Sequence, residues 1–148
     1  MSGALTHSPA DIIRQLLIDL SLGTAPADSG SWPIYVSAVP DTPDSIVTVT
    51  DTTGKDDGRL MNGGERQEHH GFQIAIRAVT HAAGFTKARA IAVSIDEDVD
   101  NADVTVSSSS YVVYAISRIS GVIVAGKNPP TSKRNLFTIN AVVALRQV

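Results

Sequence analysis

The sequence predicts an α+β domain: two helices packed on a mostly antiparallel β-sheet, with an extended loop or hairpin arm between two strands. Three observations predict it. Residues 9–22 and 84–97 repeat apolar side chains at helical spacing. The remaining apolar segments alternate or are β-branched, and they come in runs of strands rather than one strand per helix. Residues 51–70 break the apolar rhythm with four glycines and a dense mix of charges.

The 148 residues fit a single domain spanning 1–148. With 43% hydrophobic residues the chain is too apolar to stay disordered, and with 5% aromatics its core must be built from Val, Ile, Leu and Ala. The absence of cysteine removes disulfides, thiolate metal sites and cysteine nucleophiles together. No run approaches the ~18 apolar residues of a membrane span, and the N-terminus lacks a basic-then-apolar signal pattern. The net charge of −3 conceals a split. Residues 1–103 hold fifteen acids against seven bases, a balance of −8, whereas residues 104–148 hold five bases and no acid.

The first helix is predicted over residues 9–22. Ser8 can cap it, Pro9 suits its first position, and Asp11 places an acid where the helix dipole favours one. Ile12, Ile13, Leu16, Leu17 and Leu20 form one stripe, and Gly23 is a natural left-handed stop. A polar loop over 24–31 leads to a short strand, Trp32 to Val36. The segment Val39-Pro40-Asp41-Thr42-Pro43-Asp44 makes a proline-set turn into a β-branched strand, Ser45 to Thr50.

Residues 51–70 are too long for an ordinary turn. They read as a projecting hairpin arm that orders against a partner, or as a solvated loop. Gly71 to Val79 alternates, with Phe72, Ile74, Ile76 and Ala78 on one face and Gln73, Ala75, Arg77 and Val79 on the other. The second helix, 84–97, turns Ala88, Ile91, Ala92 and Ile95 inward. Strands are predicted over 104–107, 111–119 and 122–125, and a long β-rich one from Leu136 to Arg146.

Candidate chemical motifs fail on geometry. In Glu68-His69-His70 the adjacent histidines point to opposite faces of a strand, so one metal would not easily take both, and His7 and His81 lack ligand spacing. Residues 96–103 (Asp96, Glu97, Asp98, Asp100 and Asp103 among them) resemble a calcium loop. Its sixth position is Asn101 rather than glycine, and its twelfth is Ser107 rather than glutamate. A calcium site of another type, an acidic knob meeting basic residues of a neighbouring chain, and a solvated loop remain open for this cluster. Residues 126–133 lack phosphate-loop spacing, and Pro129 and Pro130 remove backbone donors. There is no serine-hydrolase elbow, and no nucleophile, base and stabiliser belong together, so the chain is not expected to be an enzyme and no cofactor is implied. The five C-terminal bases are too spread for a specific nucleic-acid footprint.

The order of residues carries a family likeness. The Ile12/Ile13/Leu16/Leu17 helix leads through a short strand into Pro40-Asp41-Thr42-Pro43-Asp44-Ser45-Ile46-Val47. Phe72-Gln73-Ile74-Ala75-Ile76-Arg77-Ala78 then runs into a helix, and Ile123 to Asn128 turns into Arg134-Asn135-Leu136-Phe137-Thr138-Ile139-Asn140. Over nearly its whole length the chain resembles the minor-capsid and tail-terminator proteins of long-tailed bacteriophages. Lys127 and Asn128 stand where that family often carries an acid after the turn glycine.

The resemblance implies a structural virion protein of the tail or neck, assembled in the host cytoplasm. It would form a ring, hexameric by expectation, that caps the tail tube at its head-proximal end and stops tube polymerisation. Its partners would be further copies of itself, the tail tube protein and a head–tail connector or head-closure protein, and its lumen would give DNA a passage. Another neck protein, for head closure or tail completion, is the alternative reading, and a small metal-binding domain the more distant one. The resemblance carries over Thr53–His70, the strand of Arg77 and Lys127–Asn140 as contact segments.

A head-to-tail ring joins two different patches of one chain, and the charge split offers two such patches. The segments carried over by the resemblance make Lys55, Arg59, Arg66, Arg77, Lys127, Lys133 and Arg134 the expected basic contact residues, and the acidic cluster Asp96, Glu97, Asp98 and Asp100 would meet basic residues of a neighbouring chain. Leu60, Met61 or the last strand would supply apolar burial.

Overall fold

In a computed structural model, residues 5–28, 30–41, 43–59, 66–127 and 134–148 are described, with the side chains of 55–59, 66–68 and 126–127 excepted. Helix α1 spans Pro9–Asp19 and buries Ala10, Ile12, Ile13, Leu16 and Leu17. Ser8 caps it as expected: its Oγ accepts the Asp11 N–H at 3.3 Å and donates to the Asp11 carboxylate at 3.0 Å. A second exposed donor of the first turn, the Ala10 N–H, is taken by Asp51 Oδ1 at 2.9 Å, which ties the helix start to the sheet. Ser8→Ala is expected to cost about 1 kcal/mol, read as a lower urea midpoint at unchanged slope.

The helix stops short of the predicted boundary. Ser21, at φ 60°, takes the left-handed conformation expected of Gly23. Gly23 is required for a different reason: a Cβ there would lie 2.6 Å from both the Ile34 side chain and the Trp32 carbonyl oxygen.

Strand β1 is Ile34–Val36, and it begins after Trp32 because Trp32 sits at φ 57°, outside any strand conformation. It pairs in parallel with β2, Ile46–Arg59. Strand β3, Arg66–Ala78, lies antiparallel to β2. Helix α2, His81–Glu97, starts three residues before the expected position because Thr80 caps it, accepting the Ala83 N–H at 3.1 Å. Strands β4 (Ala102–Val106) and β5 (Ser109–Arg118) form a hairpin on the two-residue turn Ser107-Ser108, with Ser107 at φ 54°. Strands β6 (Ile123–Lys127) and β7 (Asn135–Gln147) complete the sheet.

The strand order is β1-β2-β3-β7-β5-β4, with β6 also on β7, so the sheet is mixed: β1/β2 is parallel and the other pairs are antiparallel. Strand β7 is the spine. One of its edges holds β3 along 135–143; the other holds β6 along 135–138 and then β5 along 141–147. Its alternating burial places Phe137, Ile139, Ala141 and Val143 in the core with Ile74 and Ile76 of β3, beneath the two helices. The opposite face is half-buried and small: Thr50, Gln73, Ala75, Thr138, Asn140 and Val142. At its centre the Gln73 amide donates to Asn140 Oδ1 at 3.1 Å.

The segment 51–70 is largely strand. Pairing of β2 with β3 continues past Thr52↔Gly71 through Lys55↔His69 and Asp56↔Glu68 to Arg59↔Arg66, with register shifts between 52/55 and 56/59. Residues 60–65, with Leu60 and Met61, lie outside the described residues.

Candidate functional site

Arg77 projects from β3 on the face away from the helices and is 7% exposed. Its guanidinium gathers the proline turn: Nε donates to the Asp44 carbonyl at 3.2 Å, and Nη2 reaches the carbonyls of Pro40 at 2.6 Å, Pro43 at 2.7 Å and Asp41 at 3.3 Å. Two prolines bring no N–H to this turn, so its carbonyls point inward onto one side chain. Burial lowers the Arg77 pKa from its ordinary value and the neighbouring Arg134 charge acts in the same direction, opposed by Asp44 and Asp41. Arg134 engages the same turn, donating from Nε to Asp44 Oδ1 at 2.9 Å and from Nη2 to the Asp41 carbonyl, with an Nη2–Asp44 ion pair at 2.8 Å. Two basic residues expected at subunit contacts thus share an acidic turn of their own chain, and that turn presents Val39, 64% exposed.

The acidic cluster sits at the C-terminus of α2. Arg118 on β5 clamps Asp96 with both Nε (2.9 and 3.0 Å) and Nη2 (2.7 Å), and this interaction raises the Arg118 pKa. The clamp offsets one of the negative charges that the helix dipole disfavours there. Glu97, Asp98 and Asp100 are exposed, and Asp100 accepts from the Asn101 amide at 2.7 Å. A twelve-position calcium loop cannot form on this stretch, because β4 already runs from Ala102 to Val106. His69 and His70 are successive residues of β3 and face opposite ways. Among the described residues no group of three or more His, Asp or Glu side chains is arranged to hold a metal.

The other expected contact residues, Lys55, Arg59, Arg66 and Lys127, have strand backbones but side chains outside the described set, and Lys133 lies outside it entirely. The structure also shows surfaces the sequence did not single out. Ile119, Ile123 and Val124 are 67%, 44% and 50% exposed at β6 and its approach. Phe85, 46% exposed, stacks on His81, whose ring in turn lies 5.4 Å from that of Phe137. The Lys87 ammonium, its pKa lowered by burial, sits 5.5 Å over the Trp32 ring.

A polar tie also escaped the sequence. The buried Tyr111 hydroxyl accepts the His7 N–H at 3.1 Å and hydrogen-bonds His7 Nδ1 at 2.7 Å, joining the N-terminal segment to β5. The two residues are 104 apart in sequence, so no spacing could reveal the pair. Tyr111→Phe is expected to lower stability by about 1–2 kcal/mol, measured by denaturant unfolding.

Among the described residues the surface features are thus charged clusters, an exposed apolar strand and a long β2/β3 ladder. No curated protein sequence matches the chain. A solved chain titled as part of the virion of a native gene transfer agent particle is 13% identical, with 76% of this chain and 78% of that chain covered at a TM-score of 0.48. A second solved chain is 16% identical, with 93% and 94% covered, also at 0.48. The family model for the bacteriophage tail terminator protein matches residues 16–127, from the middle of α1 to the end of β6. The chain belongs to the bacteriophage tail terminator family and is a structural protein of the phage tail.

Proposed function

We propose that this protein closes into a ring, a homohexamer, that caps the head-proximal end of the tail tube, stops tube polymerisation and joins the tail to the head-side connector or head-closure protein. Family membership is the observation that carries the proposal. Two features of the chain support it. The β2/β3 ladder runs on to Arg59↔Arg66, long enough to serve as an arm that reaches a neighbour. The split between −8 over residues 1–103 and +5 over 104–148 offers unlike charges for a head-to-tail contact, although Arg118 and Arg134 are already paired with Asp96 and Asp44 of their own chain. In this reading Lys55, Arg59, Leu60, Met61, Arg66, Lys127 and Lys133 lie at contacts with neighbouring chains, facing Glu97, Asp98 and Asp100. Arg77, Asp96 and Arg134 shape the surfaces around them. The ring lumen gives DNA a passage without sequence-specific contacts, and assembly takes place in the host cytoplasm before the ring enters the virion.

The test is the native mass of the purified protein, alone and on tail tubes, followed by its position in a map of the particle. A ring at the tube's head-proximal end is expected. A position on the head side of the neck would make the protein a head-closure or completion component instead. Reversing Lys133 and Arg134 together to Glu is expected to weaken assembly roughly tenfold at low salt, and less at high salt. Arg134→Ala separates the two contributions, since it removes the pair with Asp44 without adding a negative charge.

A further inference from the structure

We propose that the open outer edge of β6 pairs, strand to strand, with the open outer edge of β2 in a second copy of this chain, so that neighbouring subunits share one continuous sheet. This rests on the ring reading, which requires two different surfaces of the same chain to meet.

Strand β6 pairs only with β7 among the described residues, and β4 covers β5 only from Ser109 to Val113. The exposed side of β6 is therefore a row of N–H and C=O groups that another extended strand would satisfy. Edges that must stay single are guarded by charge, proline or a covering loop. Of the five residues of β6 only the last, Lys127, is charged and none is proline, and Ile123 and Val124 are 44% and 50% exposed on opposite faces of the strand. One face alone could be a ligand groove; two exposed β-branched faces on an unguarded edge are what a paired strand would show before its partner arrives.

The complementary edge lies at the other side of the sheet. Among the described residues strand β1 covers β2 only at Val47–Val49, and β2 then runs on to Arg59. The two edges cannot meet within one chain, because β3 and β7 separate β2 from β6, roughly 14 Å over three strand spacings. A second copy brings both edges, and using one from each leaves the next pair open, as a head-to-tail ring requires. Charge adds little to the pairing: the open stretch of β2 carries Asp51, Asp56 and Asp57 together with Lys55 and Arg59, and β6 ends in Lys127, so the backbone edges and the apolar side chains carry it.

The absence of native cysteine makes a direct test available. Ile123 lies opposite Thr138 and Thr50 opposite Gln73, on the face of the sheet away from the helices, and Thr52 follows Thr50 two residues on. Full-length protein carrying Ile123→Cys with Thr50→Cys or with Thr52→Cys is oxidised, free and on tail tubes, and run without reductant. A ladder of multiples of 15.6 kDa is expected, absent from each single-cysteine variant. Val124→Lys is expected to lower the assembled fraction at least tenfold while its far-UV circular dichroism stays that of the parent. An assembled wild type with no ladder from either pair, and with Val124→Lys assembling normally, overturns the edge pairing and leaves the ring standing. A covalent dimer from Ile123→Cys alone overturns it in favour of β6 pairing with β6. A wild type that is monomeric both free and on tubes overturns the edge pairing and the ring together.

Discussion

Arg77→Ala is expected to destabilise the protein by about 3 kcal/mol, more than any exposed charge in the molecule. The side chain is almost fully buried and donates to four backbone carbonyls of one turn, those of Pro40, Asp41, Pro43 and Asp44. Truncation loses charge-assisted hydrogen bonds of roughly 1.5–3 kcal/mol and removes the side-chain donor to the Pro40, Pro43 and Asp44 carbonyls, while the Asp41 carbonyl keeps Arg134. Lysine has a single ammonium and cannot span the carbonyls that Nε and Nη2 reach, so Arg77→Lys should recover only part of the loss. The control is Arg134→Ala, whose pair with Asp44 is 33% and 55% exposed and worth at most about 1 kcal/mol. Urea unfolding measures both, and limited proteolysis near residues 39–45 should accelerate selectively in Arg77→Ala. If Arg77→Ala and Arg134→Ala cost the same small amount, the turn is held by something other than the buried guanidinium.

Phe137 and Gly84 are expected to behave as one unit. Phe137 is fully buried on β7, and its ring fills the space that a side chain at Gly84 of α2 would need: a Cβ there would lie 2.3 Å from the ring and 3.0 Å from the Ala78 Cβ. Alanine is preferred to glycine inside a helix by about 1 kcal/mol. Overpacking outweighs that preference, so Gly84→Ala should still destabilise by about 1–2 kcal/mol. Phe137→Ala should cost about 3–5 kcal/mol through the cavity it opens. In the double variant the new methyl occupies part of that cavity without the clash, and the combined loss should fall short of the sum by more than 1 kcal/mol. Additive losses would mean that helix and ring are not in the close contact described.

Legibility in the sequence followed how local the determining physics is. The start of α1 was readable because Ser8, Pro9 and Asp11 act within one turn. Thr80 could have marked the start of α2 by the same logic, but the apolar stripe begins later and drew the boundary with it. The end of α1 lies earlier than Gly23 suggests because a serine, Ser21, takes the left-handed position. Residues 51–70 read as a loop or arm since glycines and charges have little strand propensity of their own; backbone pairing between β2 and β3 overrides that weak preference. Among the candidate contact residues, Asp96, Arg77 and Arg134 were visible as charges, but their partners Arg118 and the 40–44 turn were not. Those partners are 22 to 93 residues away in sequence.

The sequence by itself therefore determined the α+β class, the two amphipathic helices, the core-facing residues of β3 and the unequal charge of the two parts of the chain. Each of these is written in periodicity, capping or composition, which act over a few residues or are plain sums. Only the tertiary structure decided that β7 is the spine of the sheet, that β6 pairs on one side alone among the described residues, and that Arg77 is a buried clamp rather than a surface base. Strand order and burial depend on contacts between residues far apart in the chain, whose free energy appears only when the whole sheet is assembled.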